Sequence, residues 1–376
     1  MRASVLADPA LVRLAGRFVW LDVDTERPEN AAFLEKHPIE TWPTFLVLDP
    51  ATEMPALKWL GTATAAQIQK LLLDGERAVR GGAGKSAEAV LARADRANAT
   101  GRAEEAAKGY REALGSGGPG WTRRPRAAES LVLALQAAGD GEGCAAAARS
   151  EAPGLPRGQS FANVVSCGLS CALDAPAGSE WGPAAVAALE PLAREAISLR
   201  GVLADDRAGL FQGLVGARRE AGDGEGARKL AEAWWGFLAA EGRRARTPEA
   251  RAALDPWRVE CALELGEPAR AVPALQASER DLPKDYNPPA RLATLYREMG
   301  RFDEALAASG RALARAYGPR KLRLFELRAQ ILEQKGDRAA ARSALEEGIA
   351  YAATLPASQR PTRLVESMQT RATGAE

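Results

Sequence analysis

Gly300-Arg301-Phe302-Asp303-Glu304-Ala305 decides most of the fold, because the same phrase returns along the chain. It recurs as Gly101 to Ala106, Gly139 to Cys144, Gly222 to Ala227, Gly266 to Ala271 and Gly336 to Ala341, each a glycine with a small residue five positions on. Glycine permits a tight turn between two helices, and the small residue lets the second helix approach the first closely. From Ser86 onward the pattern is helical almost throughout, with few β-branched strand candidates. The glycines recur roughly every 34–44 residues, with one gap about twice as long. A further helix pair near 161–173 and 183–199 fits that gap, giving about seven pairs over 86–356.

This pattern resembles tetratricopeptide repeats. Two repeats carry the resemblance best: Leu292, Ala293, Tyr296, Gly300, Phe302, Ala305 and Ala312, then Phe325, Ala329, Leu332, Gly336, Ala341 and Leu345. The first repeat shows Gly101, Ala106, Tyr110 and Ala113, and the middle repeats are degenerate. The resemblance implies a solenoid whose inner helices offer a concave face to protein or peptide partners. Some relatives clamp a C-terminal carboxylate through Lys, Asn and Arg. The matching places here hold Ala290, Thr294, Glu326 and Gln330, so no clamp is expected.

Ahead of the repeats, Thr41-Trp42-Pro43-Thr44-Phe45-Leu46-Val47-Leu48-Asp49 reads as a turn feeding a buried strand. Phe18 to Asp24 is an apolar run closed by acidic residues, expected as a central parallel strand. Pro28 opens a short helix that ends at His37-Pro38, and Leu57 to Leu60 is a further strand. Ile68, Leu71, Leu72 and Ala78 then recur at helical spacing.

This order, with His37, Ile39 and Pro43-Thr44, resembles the C-terminal two-thirds of the thioredoxin fold. The resemblance implies a cis Pro43 and a substrate-binding backbone at Trp42, Pro43 and Thr44. Val5 to Val12 resembles the helix after the redox motif of thiol–disulfide interchange proteins, which places the cysteine pair just before Met1. Two accounts fit: a start assigned too late, or a genuine remnant. The expected fold class is therefore an incomplete α/β thioredoxin-like domain over 1–80, a linker over 81–85, an all-α tetratricopeptide-type solenoid over 86–356, and a polar, frayed tail over 357–376.

Residues 1–80 contain no cysteine, so that segment lacks the thiolate that disulfide exchange requires. The four cysteines, Cys144, Cys167, Cys171 and Cys261, are too scattered for a disulfide framework. Cys167 and Cys171 share a helix face, but with no nearby histidine or second pair they read as small buried residues rather than metal ligands. His37 reads as helix-end packing, Asp22 and Asp24 as caps or solvated groups, and Trp234-Trp235 as core. Gly84-Lys85-Ser86 imitates the end of a P-loop. Its first glycine would fall at Val79 after a helix, so it is read as linker plus helix cap. No catalytic residue, cofactor or metal is expected.

A net charge of +1 leaves no basic footprint for nucleic acid. No apolar run reaches membrane-span length, and the N-terminus has no signal-peptide pattern. The chain as written is expected in the cytoplasm, or in the periplasm if a signal peptide precedes it. The expected role is a non-enzymatic protein-interaction scaffold; the alternative is a thiol–disulfide oxidoreductase whose Cys-x-x-Cys lies upstream.

Overall fold

The computed structural model describes residues 6, 8–81 and 84–374. Val5 and Ala7 of the N-terminal segment, and Gly82-Ala83 of the linker, lie outside them. Contacts divide the chain into two compact units: 1–17 with 41–236, and 18–40 with 237–376.

In the first unit a 3₁₀ helix covers Pro9–Leu14, opened by Asp8, whose carboxylate accepts from Ala10 N–H. Strands β1 (Thr44–Leu48) and β2 (Pro55–Leu60) form an antiparallel hairpin, Thr44 opposite Leu60 and Val47 opposite Leu57, with an irregularity after Val47. The Trp42–Pro43 peptide bond is cis, as the resemblance implied. Helix α2 (Ala65–Val79) starts in a capping box, Thr64 and Gln67 satisfying each other's backbone N–H groups. It crosses the hairpin at Gly75, where a Cβ would lie 2.6 Å from Val47 Cγ2. Val47, Leu57, Trp59, Ile68 and Leu71 form the core between them.

The same unit holds helices α3 (Ala87–Ala99), α4 (Ala103–Gly117), α5 (Arg124–Ala137), α6 (Gly141–Glu151), α7 (Gln159–Leu173), α8 (Trp181–Ala196), α9 (Ala204–Glu220) and the start of α10 (Gly224–Arg244). Ser86 caps α3 as expected, accepting from Ala89 N–H. Each helix of a pair packs on its neighbour and on the next pair: α3 on α4, α4 on α5, α5 on α6 and α7, α7 on α8 and α9.

The second unit holds α1 (Ala31–Lys36) and, from the repeats, α11 (Pro248–Ala252), α12 (Asp255–Glu264), α13 (Val272–Asp281), α14 (Asn287–Glu298), α15 (Phe302–Arg315), α16 (Arg320–Lys335), α17 (Arg338–Ala353) and α18 (Thr362–Thr373). Pairs α14–α15 and α16–α17 stack in sequence, and α18 closes on α17.

The repeated phrase has one structural meaning throughout. Gly101, Gly139, Gly222, Gly266, Gly300 and Gly336 all adopt positive φ, between 69° and 91°. The N–H after each glycine reaches back to the last helical turn, as in Arg301 N to Tyr296 O at 2.8 Å and Asp337 N to Leu332 O at 2.9 Å. This is the glycine-terminated helix stop that satisfies otherwise orphaned carbonyls. The small residue five on is buried every time: Ala106, Cys144, Ala227, Ala271, Ala305 and Ala341.

Two expectations are corrected. Phe18 to Asp24 forms no parallel strand, and Val19 and Leu21 are 89% and 72% exposed. A central strand needs a partner on each side, and the only sheet among the described residues is the two-stranded hairpin. Among the described residues of 1–80 the strand content is this hairpin alone, so the all-α part of the expected fold class is seen and a thioredoxin-like domain is not shown. The run instead leads its acidic end onto the second unit, where Glu26 accepts from Arg320 N–H and Asp24 from the Tyr317 hydroxyl. Finally, the tail is not frayed: α18 buries Met368 and Ala372 against Phe325, Ala344 and Leu345. Leu364, Met368 and Ala372 share one helix face, and that apolar stripe outweighs the polar remainder.

Met368 is fully buried and its methyl group fills the space that a Cβ on Gly348 would need. Met368→Ala should cost about 2–5 kcal/mol, read as a lower urea midpoint for the second unit. An unchanged midpoint would mean that α18 does not cap the array.

Candidate protein-interaction surface

The residues expected to bind substrate sit together at the base of the hairpin. Trp42 is half exposed, Pro43 gives its carbonyl to Gly61 N–H at 2.8 Å, and the Thr44 hydroxyl donates to Thr41 O at 2.6 Å. These bonds close the hairpin. His37 ends α1 with its ring 4.8 Å from Phe33, a packing role.

The larger assembly of polar groups lies elsewhere, on the first helices of the early pairs. Asp95 of α3 accepts from the Tyr110 hydroxyl at 2.9 Å and from Arg126 of α5 at 2.7 Å. Glu129 of α5 accepts from Asn163 of α7 at 2.5 Å. Gln159 of α7 donates to Asp206 of α9 and receives Leu203 N–H. These residues form a polar row across α3, α5, α7 and α9.

The hairpin and α2 lie on that row. Thr62 donates to both Asp206 oxygens, at 2.7 and 2.8 Å. Gln67 donates to Glu129 at 3.2 Å and to Ser160 at 3.4 Å. Asp74 pairs with Arg123 at 3.2 Å and with Arg126 at 3.5 Å. Leu203 packs into the hairpin core and Ala92 of α3 packs against Ala56 and Ala78. The expected partner-binding face of the early repeats is thus covered by the chain's own residues 62–78. Sequence reading missed Glu129, Asn163 and Asp206. Their signal was a polar residue on each successive first helix where an apolar one would suffice for helix packing.

Burial governs the chemistry of this row. Desolvation pushes the Glu129 carboxyl up to about 7 and the Asp206 carboxyl up to about 6, against the hydrogen bonds from Ser160, Asn163, Thr62 and Gln159. Burial also raises Asp95, although Arg126 and Tyr110 oppose it, and raises Tyr110 itself.

In the second unit a cavity of about 650 Å³ is lined by Glu249, Pro256, Asp281, Lys284, Asp285 and Arg291. Burial lowers the Arg291 guanidinium, with Asp255 and Asp285 counteracting. The positions that a carboxylate clamp would use are engaged otherwise: Gln330 accepts from Arg297, and Glu326 lies 3.5 Å from Arg371 of α18.

Cys167 and Cys171 are buried as expected, but one disulfide lies among the cysteines, which the sequence reading did not anticipate. Cys144 of α6 is joined to Cys171 of α7 by a disulfide, and Cys167 lies 3.8 Å from Cys144 sulfur to sulfur. Cys144 occupies the small position of its repeat phrase, and its side chain meets α7 there. At the same crossing, a Cβ on Gly168 would lie 2.2 Å from Ala148 Cβ.

Fold and surface together define a tandem array of antiparallel helix pairs, most of them joined by left-handed glycine turns. No family model and no curated protein matches the chain. Among solved structures, a tetratricopeptide repeat protein from Parabacteroides merdae is 10% identical, covering 77% of this chain and 100% of that one, with a TM-score of 0.48. The assembly chaperone of RpL4 (Acl4) is 14% identical over 77% and 97%, TM-score 0.38, and the TPR2AB domain of yeast Sti1 is 13% identical over 76% and 98%, TM-score 0.29. No helix among the described residues is long and apolar enough to cross a membrane.

The raised carboxyls fix a pH dependence. A carboxyl raised in the fold holds its proton where the unfolded chain has lost it, so stability falls as pH rises from the ordinary range near 4.5 and 3.8 through about 6 to 7. Urea midpoints at about pH 5 and about pH 8 should therefore differ, with the lower midpoint at the higher pH. Glu129→Gln should narrow the difference; an unaltered gap would show that Glu129 does not titrate in that window.

Proposed function

We propose that the chain is a protein-interaction scaffold that holds protein or peptide segments on the first-helix face of its repeats. One observation carries the reading: the face of α3, α5, α7 and α9 already holds a polypeptide segment, residues 62–78, through side-chain bonds to Glu129, Ser160 and Asp206 and ion pairs to Asp74. A surface that grips its own helix in this way has the polar anchors and apolar floor that a foreign segment would need. In the second unit, the cavity at Asp281, Lys284, Asp285 and Arg291 offers comparable chemistry, a half-buried guanidinium with carboxylates in the same lining.

A peptide-display selection against the full chain tests this. A photo-crosslinking residue at Lys284 should capture the enriched peptides, and one at Glu304 on the second helix α15 should not. Failure to enrich any peptide, or capture at Glu304 alone, would sink the reading.

A second reading rests on the cis Trp42–Pro43 bond beside the β1–β2 hairpin. It takes residues 1–80 as the substrate-holding half of a thioredoxin-like domain, with Trp42, Pro43 and Thr44 facing cysteines encoded upstream. The chain as given should then leave insulin disulfides intact. An in-frame stop directly before the Met1 codon would end this alternative, and turnover at the rate of a thioredoxin would overturn the non-enzymatic assignment.

A further inference from the structure

Cys144, Cys167 and Cys171 bring three sulfur atoms within 4.8 Å of one another, all buried between α6 and α7. Only two of them can share a disulfide, so the third, Cys167, is a thiol held against an existing S–S bond. Its neighbour on the other side is the Gln136 side-chain oxygen at 3.6 Å, an acceptor for the thiol proton.

We propose that this cluster, once reduced, is a three-thiol site for a trivalent thiophilic ion of the arsenic(III) type. Three observations select that chemistry. The donor set is three sulfurs, and soft thiolates select soft ions. The site is apolar: Cys144 and Cys171 are 0% and 4% exposed, and the charged group acting on Cys167 is the Glu129 carboxylate, not a cation. Finally, the convergence is threefold, with no histidine or carboxylate among the grouped ligands.

Charge decides between candidate ions. Zinc held by three thiolates keeps a net negative charge and an open fourth position, and an uncompensated charge in an apolar site is costly. Arsenic(III) bound by three thiolates is neutral, and its lone pair occupies the fourth direction. The three sulfurs are buried in apolar surroundings, which favour the thiol over the thiolate, so an incoming ion replaces a proton rather than meeting a thiolate. Arsenous acid, As(OH)3, is uncharged at neutral pH and does this without net proton release: As(OH)3 and three R–SH give As(SR)3 and three waters.

Reduction must come first. A phosphine with one water splits the Cys144–Cys171 bond, giving two thiols and one phosphine oxide; in a cell, two low-molecular thiols do the same and leave as their own disulfide. The disulfide is then the empty, closed form, and the bound ion blocks its return.

The full chain, reduced with a phosphine and freed of excess reductant, is titrated with arsenite. The expected result is one arsenic per chain, no proton release in weak buffer, and protection of Cys144, Cys167 and Cys171 but not Cys261 from alkylation, mapped by mass spectrometry. The unreduced chain should bind none. Cys167→Ser should weaken binding by at least about tenfold, roughly 1.4 kcal/mol, and Cys261→Ser should leave it unchanged. The proposal is overturned if the reduced, folded chain binds no arsenic, if protection spares any of the three cysteines, or if zinc binds as tightly with the release of protons that thiolate–metal binding requires. The protection map needs no variant, so it decides the matter even if Cys167→Ser fails to fold.

Discussion

Six of the helix pairs depend on a single left-handed glycine followed five residues later by a side chain no larger than cysteine, α7 and α8 being joined without this combination. At Gly300 the positive φ would strain any residue with a Cβ, and at Ala305 a larger side chain would hold α15 off α14. A glycine in a helix interior weakens it by about 1 kcal/mol, but at the turn it ends the first helix, satisfies its carbonyls and reverses the chain. With the turn fixed, the buried small residues set the distance between helices, and stacking of successive pairs buries a continuous core.

The same constraint explains the cysteine cluster. Wherever the repeat phrase demands a small buried side chain, sequence can vary only among a few residues, and Cys144 is one of them. That position on α6 faces the next pair as well as its own, and there α7 presents Cys167 and Cys171 one turn apart. The chemistry of the site is thus a consequence of helix spacing.

The polar row on the first helices presents the opposite balance. Burying Glu129 and Asp206 costs desolvation, which is why both hold their protons well above the ordinary carboxylate range. The hydrogen bonds from Gln67, Asn163, Thr62 and Gln159 offset part of that cost and specify where residues 62–78 lie. On the docked helix, Asp74 is met by Arg123 and Arg126. Removing one member of such a buried set leaves the rest unpaired, at about 3–5 kcal/mol, so the arrangement specifies one docking register more than it adds stability.

The turn glycines, the small residues, the cap at Ser86, and the β1–β2 hairpin could all be read from the chain, because each is set by residues close in sequence. The Phe18 to Asp24 run misled because strand-forming composition says nothing about whether a neighbouring strand is present. The α18 stripe was sparse enough to be hidden by polar neighbours, although Leu364, Met368 and Ala372 carried its spacing. The Cys144–Cys171 bond and the docking of residues 62–78 on α5, α7 and α9 were decided by tertiary structure alone. Both join residues distant in sequence: local spacing fixes which side of a helix a residue occupies, and only the packed array decides what stands opposite.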